Sequence, residues 1–197
     1  MPETPDRPHR TGHAVLDFVI ATCAIVISFA SLWVALQADR TQEQLLRSSV
    51  WPYVVFDSSD VTPEGAPRIQ LILTNEGVGP AIVRSFAVAY NGKYVSSVHD
   101  LLNACCDVAG ARRLRVFTST VQSQVIMAHQ SFPFVIVPPQ ANSSRAYGRA
   151  ATNRFNISVK MCYCSVLGEC WFLDSSRESE PAEVKDCPPA QQPQYTT

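Results

Sequence analysis

The sequence predicts a mainly β protein: an N-terminal transmembrane helix followed by an Ig-like antiparallel β-sandwich with one or two short helices. Three observations carry this. Phe18 to Leu36 is a run of nineteen residues without a charge. Beyond Val50 the chain turns to short segments rich in β-branched and aromatic residues, several alternating apolar with polar. Fourteen prolines punctuate the chain, which argues against an all-helical body.

Taken in order, residues 1–13 read as a disordered N-terminal tail. Residues 14–37 read as the transmembrane helix. At about 1.5 Å per residue the charge-free run covers roughly 28 Å, close to a bilayer core of about 30 Å. A single such segment must be helical, because lipid offers its backbone no other partners. Ser28-Phe29-Ala30 has the small-x-small form of a signal cleavage site, but Ser31 to Leu36 carries the apolar run past it. Leu36-Gln37-Ala38 fits less well, because Leu36 is not small, so an uncleaved signal anchor is expected. Arg7 and Arg10 before the span balance Arg40 and Arg47 after it, and the positive-inside count is tied. Ala21, Ala24, Ser28, Ser31 and Ala35 form one stripe of small residues along the span, a surface on which helices could self-associate. Residues 38–49 are helix-compatible and extend the anchor until Ser48-Ser49 and Pro52 end it.

The β domain is expected over residues 50–174. Val50 to Phe56 and Arg68 to Thr74 are strands, the second placing Ile69, Leu71 and Leu73 on one face. Ala81 to Tyr90 is a third, and Asn91-Gly92 after it signals a two-residue hairpin pairing Tyr90 with Lys93 and Val88 with Val95. Ser96 to Cys105 breaks the β pattern with a serine cap and reads as a short helix. Residues 113–121, 123–128 and 132–138 are further strands; 141–153 holds a possible helical turn. Residues 155–166 and 169–174 form a last hairpin, and residues 175–197 read as a disordered, proline-rich C-terminal tail.

Asn75-Glu76-Gly77-Val78-Gly79-Pro80-Ala81 lies between two strands, and one or both of its glycines are expected to supply positive φ in a tight reversal. No helix follows it and its spacing matches no phosphate-binding loop, so the element is structural. Ser49-Val50-Trp51-Pro52-Tyr53 behind the anchor, the Leu73 to Ala81 element, and Tyr163 with Gly168 and Trp171 together resemble a family of uncharacterised bacterial single-pass membrane-anchored β-sandwich proteins with an L-x-N-x-G-x-G-P-A strand-turn-strand element. The resemblance covers about residues 15 to 174. It implies the sandwich fold and a bacterial cell-envelope setting, with the anchor in the inner membrane, and it implies no activity.

The cysteines carry the remaining chemistry. Cys23 lies in the anchor; Cys105, Cys106, Cys162, Cys164, Cys170 and Cys187 lie beyond it, an even set that suggests disulfides and an extracytoplasmic, periplasmic domain. Cys162 and Cys164 share a strand face. A three-residue loop Val166-Leu167-Gly168, with Gly168 left-handed, sets Cys164 opposite Cys170, whereas a two-residue turn puts Cys170 on the other face. Buried free thiols, or a thiolate metal site from Cys162, Cys164, Cys170 and one of Cys105 or Cys106, are the competing readings. A net charge of −1 excludes a strongly basic nucleic-acid binder. Asp57, Asp60 and Glu64 follow no calcium-loop spacing, His99 has no nucleophile signature around it, and no cofactor motif is present. The expectation is therefore no catalytic, cofactor-binding or metal residue. The domain is read as a binding or structural module for a protein or peptide partner. The alternative is a thiol-based redox or metal-binding protein using the Cys162/Cys164/Cys170 hairpin with Cys105/Cys106.

Overall fold

A computed structural model of the chain describes residues 14–106, 115–139, 144–177, 180–189 and Tyr195. The expected N-terminal tail lies outside the described residues. The chain divides into two compact units, Met1–Leu46 and Arg47–Thr197.

The described residues of the first form one helix. Helix α1 runs unbroken from Ala14 to Ser49 over 36 residues, so the expected span and its extension are one element. It is long and apolar enough to cross a membrane. Its side chains from Val15 to Ser49 are all exposed. Thr22 and Ser28 each donate their hydroxyl to the carbonyl four residues back, both at 2.8 Å, which removes the cost of a bare hydroxyl in an apolar run. Asp17 in the first turn and Arg47 in the last oppose the helix dipole.

The second unit contains strands β1 (Val54–Val61), β2 (Pro67–Asn75), β3 (Ala81–Tyr90) and β4 (Lys93–Val95), then helix α2 (Val98–Cys106). Strands β5 (Phe117–Thr118), β6 (Val125–Ile126) and β7 (Ser131–Val137) precede helix α3 (Ser144–Asn153). Strands β8 (Ile157–Cys164), β9 (Cys170–Asp174) and β10 (Ala182–Val184) complete it. All strand pairings among the described residues are antiparallel. One sheet has the order β1-β2-β7-β5; the other runs β10-β9-β8-β3-β4, with β6 also paired to β3.

The two sheets share one core. Ile69, Leu71 and Leu73 of β2, Phe134 and Val137 of β7, Phe86 and Val88 of β3, and Val159, Met161 and Tyr163 of β8 are all buried in it. Phe86 meets Phe134 edge to face at 5.1 Å. Burial pushes the Tyr163 hydroxyl up to about 12, and its oxygen accepts the Val54 N–H at 3.1 Å. Helix α2 buries Val98, Leu101 and Leu102, and Ser97 caps it by accepting the Asp100 N–H at 3.2 Å. The Asn91-Gly92 turn has φ of 50° and 75°, and it pairs Tyr90 with Lys93 and Val88 with Val95.

Four segments differ from the sequence reading. The first strand, expected over Val50 to Phe56, begins at Val54 and runs on to Val61, because residues 51–53 bond to the loop after β2 instead of to a neighbouring strand. The strands expected at 113–121 and 123–128 shrink to the two-residue strands β5 and β6. Gln124 N–H closes a turn on the Val121 carbonyl at 3.1 Å and Ser123 takes a φ of 62°, so β propensity there yields to turn geometry. The helical turn expected in 141–153 is a ten-residue helix, α3. The residues expected as a C-terminal tail supply a strand and a core side chain. β10 pairs with β9, and the Tyr195 ring lies edge-on to Phe86 and Phe134 at 6.0 and 6.2 Å. Composition marks this stretch as polar and hides both features, because a short strand and one aromatic ring depend on a partner edge and a core gap supplied from elsewhere in the chain.

The glycines of the Asn75 to Ala81 element also differ. Neither Gly77 nor Gly79 is among the positive-φ residues. They are needed because the chain leading into β1 runs against them: a Cβ on Gly79 would overlap the Val50 carbonyl, and one on Gly77 would overlap the Tyr53 amide. The approach is sealed by backbone hydrogen bonds, Val78 and Gly79 N–H to Trp51 O at 3.0 and 3.1 Å, and Glu76 N–H to Tyr53 O at 2.7 Å.

Candidate functional site: the disulfide face of the larger sheet

Strands β8 and β9 alternate strictly. Val159, Met161, Tyr163, Trp171 and Leu173 face the core, and Cys162, Cys164 and Cys170 face outward. The loop between the strands is the three-residue form. Gly168 has a φ of 87°, Ser165 N–H donates to Glu169 O at 2.7 Å, and Cys164 stands opposite Cys170. The alternative two-residue register is not adopted.

The outward cysteines form a second apolar cluster with Phe172, Val184 and Cys187. Cys164 is bonded to Cys170 across the hairpin, with Cα atoms 4.0 Å apart. Cys162 is bonded to Cys187, 25 positions on in sequence, with Cα atoms 5.7 Å apart. β10 lays the segment carrying Cys187 over this face, by pairing Val184 with Cys170 and Ala182 with Phe172. In the chain-entropy account a closed loop of this length stabilises by about 3 kcal/mol. The Cys162→Ala/Cys187→Ala double variant is accordingly expected to lose about 3 kcal/mol in urea unfolding of the detergent-extracted protein.

One ion-pair group borders the cluster. On the same face, Lys160 is paired with Asp174, Nζ to Oδ2 at 3.2 Å, and Ser176 donates to Asp174 Oδ1 at 2.6 Å. Burial pushes the Asp174 carboxyl up, but the hydrogen bonds from Ser176 and Lys160 outweigh it and hold the group below its ordinary value. A carboxylate with a depressed folded pKa stabilises above its unfolded value, near pH 4, and loses that contribution as pH falls through the folded value. Asp174→Asn should therefore flatten the decline in melting temperature below about pH 4, relative to the unsubstituted chain.

Cys105 and Cys106 are elsewhere. They are bonded to each other at the end of α2 and belong to the main core, so they do not join the hairpin cysteines in a four-thiolate set. The ring they close spans one peptide and restrains no long loop. Their carbonyls, left over at the helix end, accept from α3: Asn153 Nδ2 to Cys105 O at 2.6 Å and Arg149 Nη1 to Cys106 O at 3.3 Å. Cys23 is the free cysteine among the described residues.

Comparison with protein-family models, curated proteins and solved structures finds no match to this chain.

Of the residues singled out in the sequence, the fold gathers Cys162, Cys164, Cys170 and Cys187 on one face. Asn75 ends β2, Gly77, Gly79 and Pro80 follow it in the loop that leads to β3, and Asn91, Gly92 and Gly168 sit in their turns. What the sequence reading lacked was the pairing of Cys187 with Cys162 and the seat of Tyr195. A lone cysteine and a lone tyrosine in a polar stretch were the only signals of either.

Proposed function

We propose that the chain is a single-pass membrane protein, held by an uncleaved signal anchor, whose Ig-like sandwich is displayed on the periplasmic side of a bacterial inner membrane as a binding or structural module. The observation that carries this is the pairing of all six cysteines beyond α1 in three disulfides. Such bonds persist in oxidising compartments and are rare in the cytosol. They support the orientation with the domain outside the cytoplasm, on which the flanking arginines are evenly balanced. The Ig-like assignment is supported by strand order: β1-β2-β7-β5 follows the A-B-E-D sheet of such domains, and β9-β8-β3-β4 follows G-F-C-C′. The partner is a protein or peptide. The edge strand β1, eight residues long, is the surface on which an added strand would find the longest ladder.

The test is a reporter fused after Thr197, one version active only outside the cytoplasm and one only inside, together with alkylation of the extracted protein. Extracytoplasmic reporter activity, with Cys23 as the one thiol that reacts before reduction, is the expected result. Seven reactive thiols before reduction would overturn the proposal.

A further inference from the structure

The two disulfides on the outer face touch. Cys164 Sγ lies 3.8 Å from Cys187 Sγ, and neither sulfur carries a hydrogen, so this is a van der Waals contact between two bonds. The sulfurs of Cys164, Cys170 and Cys187 all lie within 4.8 Å of one another, while that of Cys162 falls outside the group. Cys187 is therefore the sulfur through which the two bonds meet. It is also the most accessible of the four: Cys162, Cys164 and Cys170 are buried, and Cys187 is half-buried on the segment that follows β10. Exchange needs a thiolate within reach of a disulfide sulfur and in line with the bond it breaks; Cys187 Sγ has the reach, and release from Cys162 frees its side chain to turn into line.

We propose that these four cysteines form a disulfide-exchange site whose substrate is an external dithiol, with Cys187 as the entry sulfur and Cys164 as its internal acceptor. A thiolate of the dithiol attacks Cys187 Sγ, the Cys162–Cys187 bond breaks, and Cys162 leaves with the electron pair and takes up a proton. The second thiol of the dithiol resolves the mixed disulfide, so that the dithiol is oxidised to its own disulfide and Cys187 is released as a thiolate. Cys187 then attacks Cys164 Sγ, forming Cys164–Cys187 and expelling Cys170, which takes up the second proton. In sum the dithiol gives up two electrons and two protons, one of the two protein disulfides is reduced, and Cys162 and Cys170 hold the thiols. Cys187 is bonded to the sheet before and after the exchange, through Cys162 and then through Cys164; between the two, the β10–β9 pairing holds the segment.

Two variants of the full chain in detergent test this from opposite ends. Cys162→Ser leaves Cys187 as a thiol beside the Cys164–Cys170 bond. Cys170→Ser leaves Cys164 as a thiol beside the Cys162–Cys187 bond. After incubation at mildly alkaline pH, acid quench and alkylation, peptide mapping should find the same new Cys164–Cys187 link in both, with Cys170 freed in the first and Cys162 freed in the second. The unsubstituted protein, treated with dithiothreitol below one equivalent and quenched, should yield the same link, which covers the case in which a variant does not fold. Cys164–Cys187 in either variant or in the partly reduced protein supports the proposal; its absence from all three overturns it. Mapping before any reduction separates this from the compartment question: cysteines that start as thiols count against the membrane topology proposed above, whereas intact native disulfides that never exchange count against the relay.

Discussion

Gly79→Ala is expected to destabilise the β domain severely. The added Cβ would overlap the Val50 carbonyl, and the surrounding atoms are backbone, which cannot rotate away as a side chain can. Relief requires pulling the Val50 to Tyr53 segment off the loop and breaking the hydrogen bonds from Val78 and Gly79 to Trp51 O and from Glu76 to Tyr53 O. The loss should exceed about 4 kcal/mol, a large part of the ~5–15 kcal/mol that holds a domain of this size. Near-UV circular dichroism and thermal unfolding of the extracted protein measure it. Gly148→Ala is the matched control, because that glycine lies in α3 with open space around it, and alanine there should be neutral or stabilise by up to about 1 kcal/mol. A Gly79→Ala protein that melts like the Gly148→Ala one would refute the close-approach account.

The second large effect is at Asn75, which is fully buried with every hydrogen-bonding position of its amide filled. Its Oδ1 accepts the Tyr53 and Gly77 N–H groups, both at 3.1 Å, and its Nδ2 donates to Gly79 O at 2.8 Å and Ile126 O at 3.0 Å. One side chain thus ties the approach to β1, its own loop and β6 together. Asn75→Ala removes four hydrogen bonds to backbone groups at a fully buried position and should cost about 3–5 kcal/mol. Asn75→Asp keeps the shape but replaces two donors with an acceptor facing the Gly79 and Ile126 carbonyls. Its carboxyl would be pushed up by burial and by those oxygens, so the aspartate variant should weaken further as pH rises above about 4. Equal melting temperatures for Asn75→Asp at pH 4 and pH 7 would argue against a buried, donor-requiring position.

These two positions show what was legible in the sequence and what was not. The loop from Asn75 to Ala81 stood out as structural, but the expected reason, positive φ at its glycines, was a local one. The reason found is the passage of residues 50–53 against the loop, a contact between segments more than twenty residues apart. The cysteine hairpin divides in the same way. Two registers were open because loop length alone decided which face Cys170 would take. The left-handed Gly168 selects one of them, and β10, which composition had hidden in a polar tail, brings Cys187 to the same face.

What the sequence by itself determined is whatever rests on neighbours along the chain. A helix satisfies its own backbone, so nineteen uncharged residues suffice to specify α1. Period-two alternation orients β2, and Asn91-Gly92 sets a hairpin register, because both depend only on residues a few positions apart. The tertiary structure alone decided the strand order of the two sheets, the need for glycine at 77 and 79, the four bonds of Asn75, the seat of Tyr195 and the contact between two disulfides. Each of these is set by which distant segments share a face or an edge. That choice is made by burying one common core, and no single stretch of the chain encodes it.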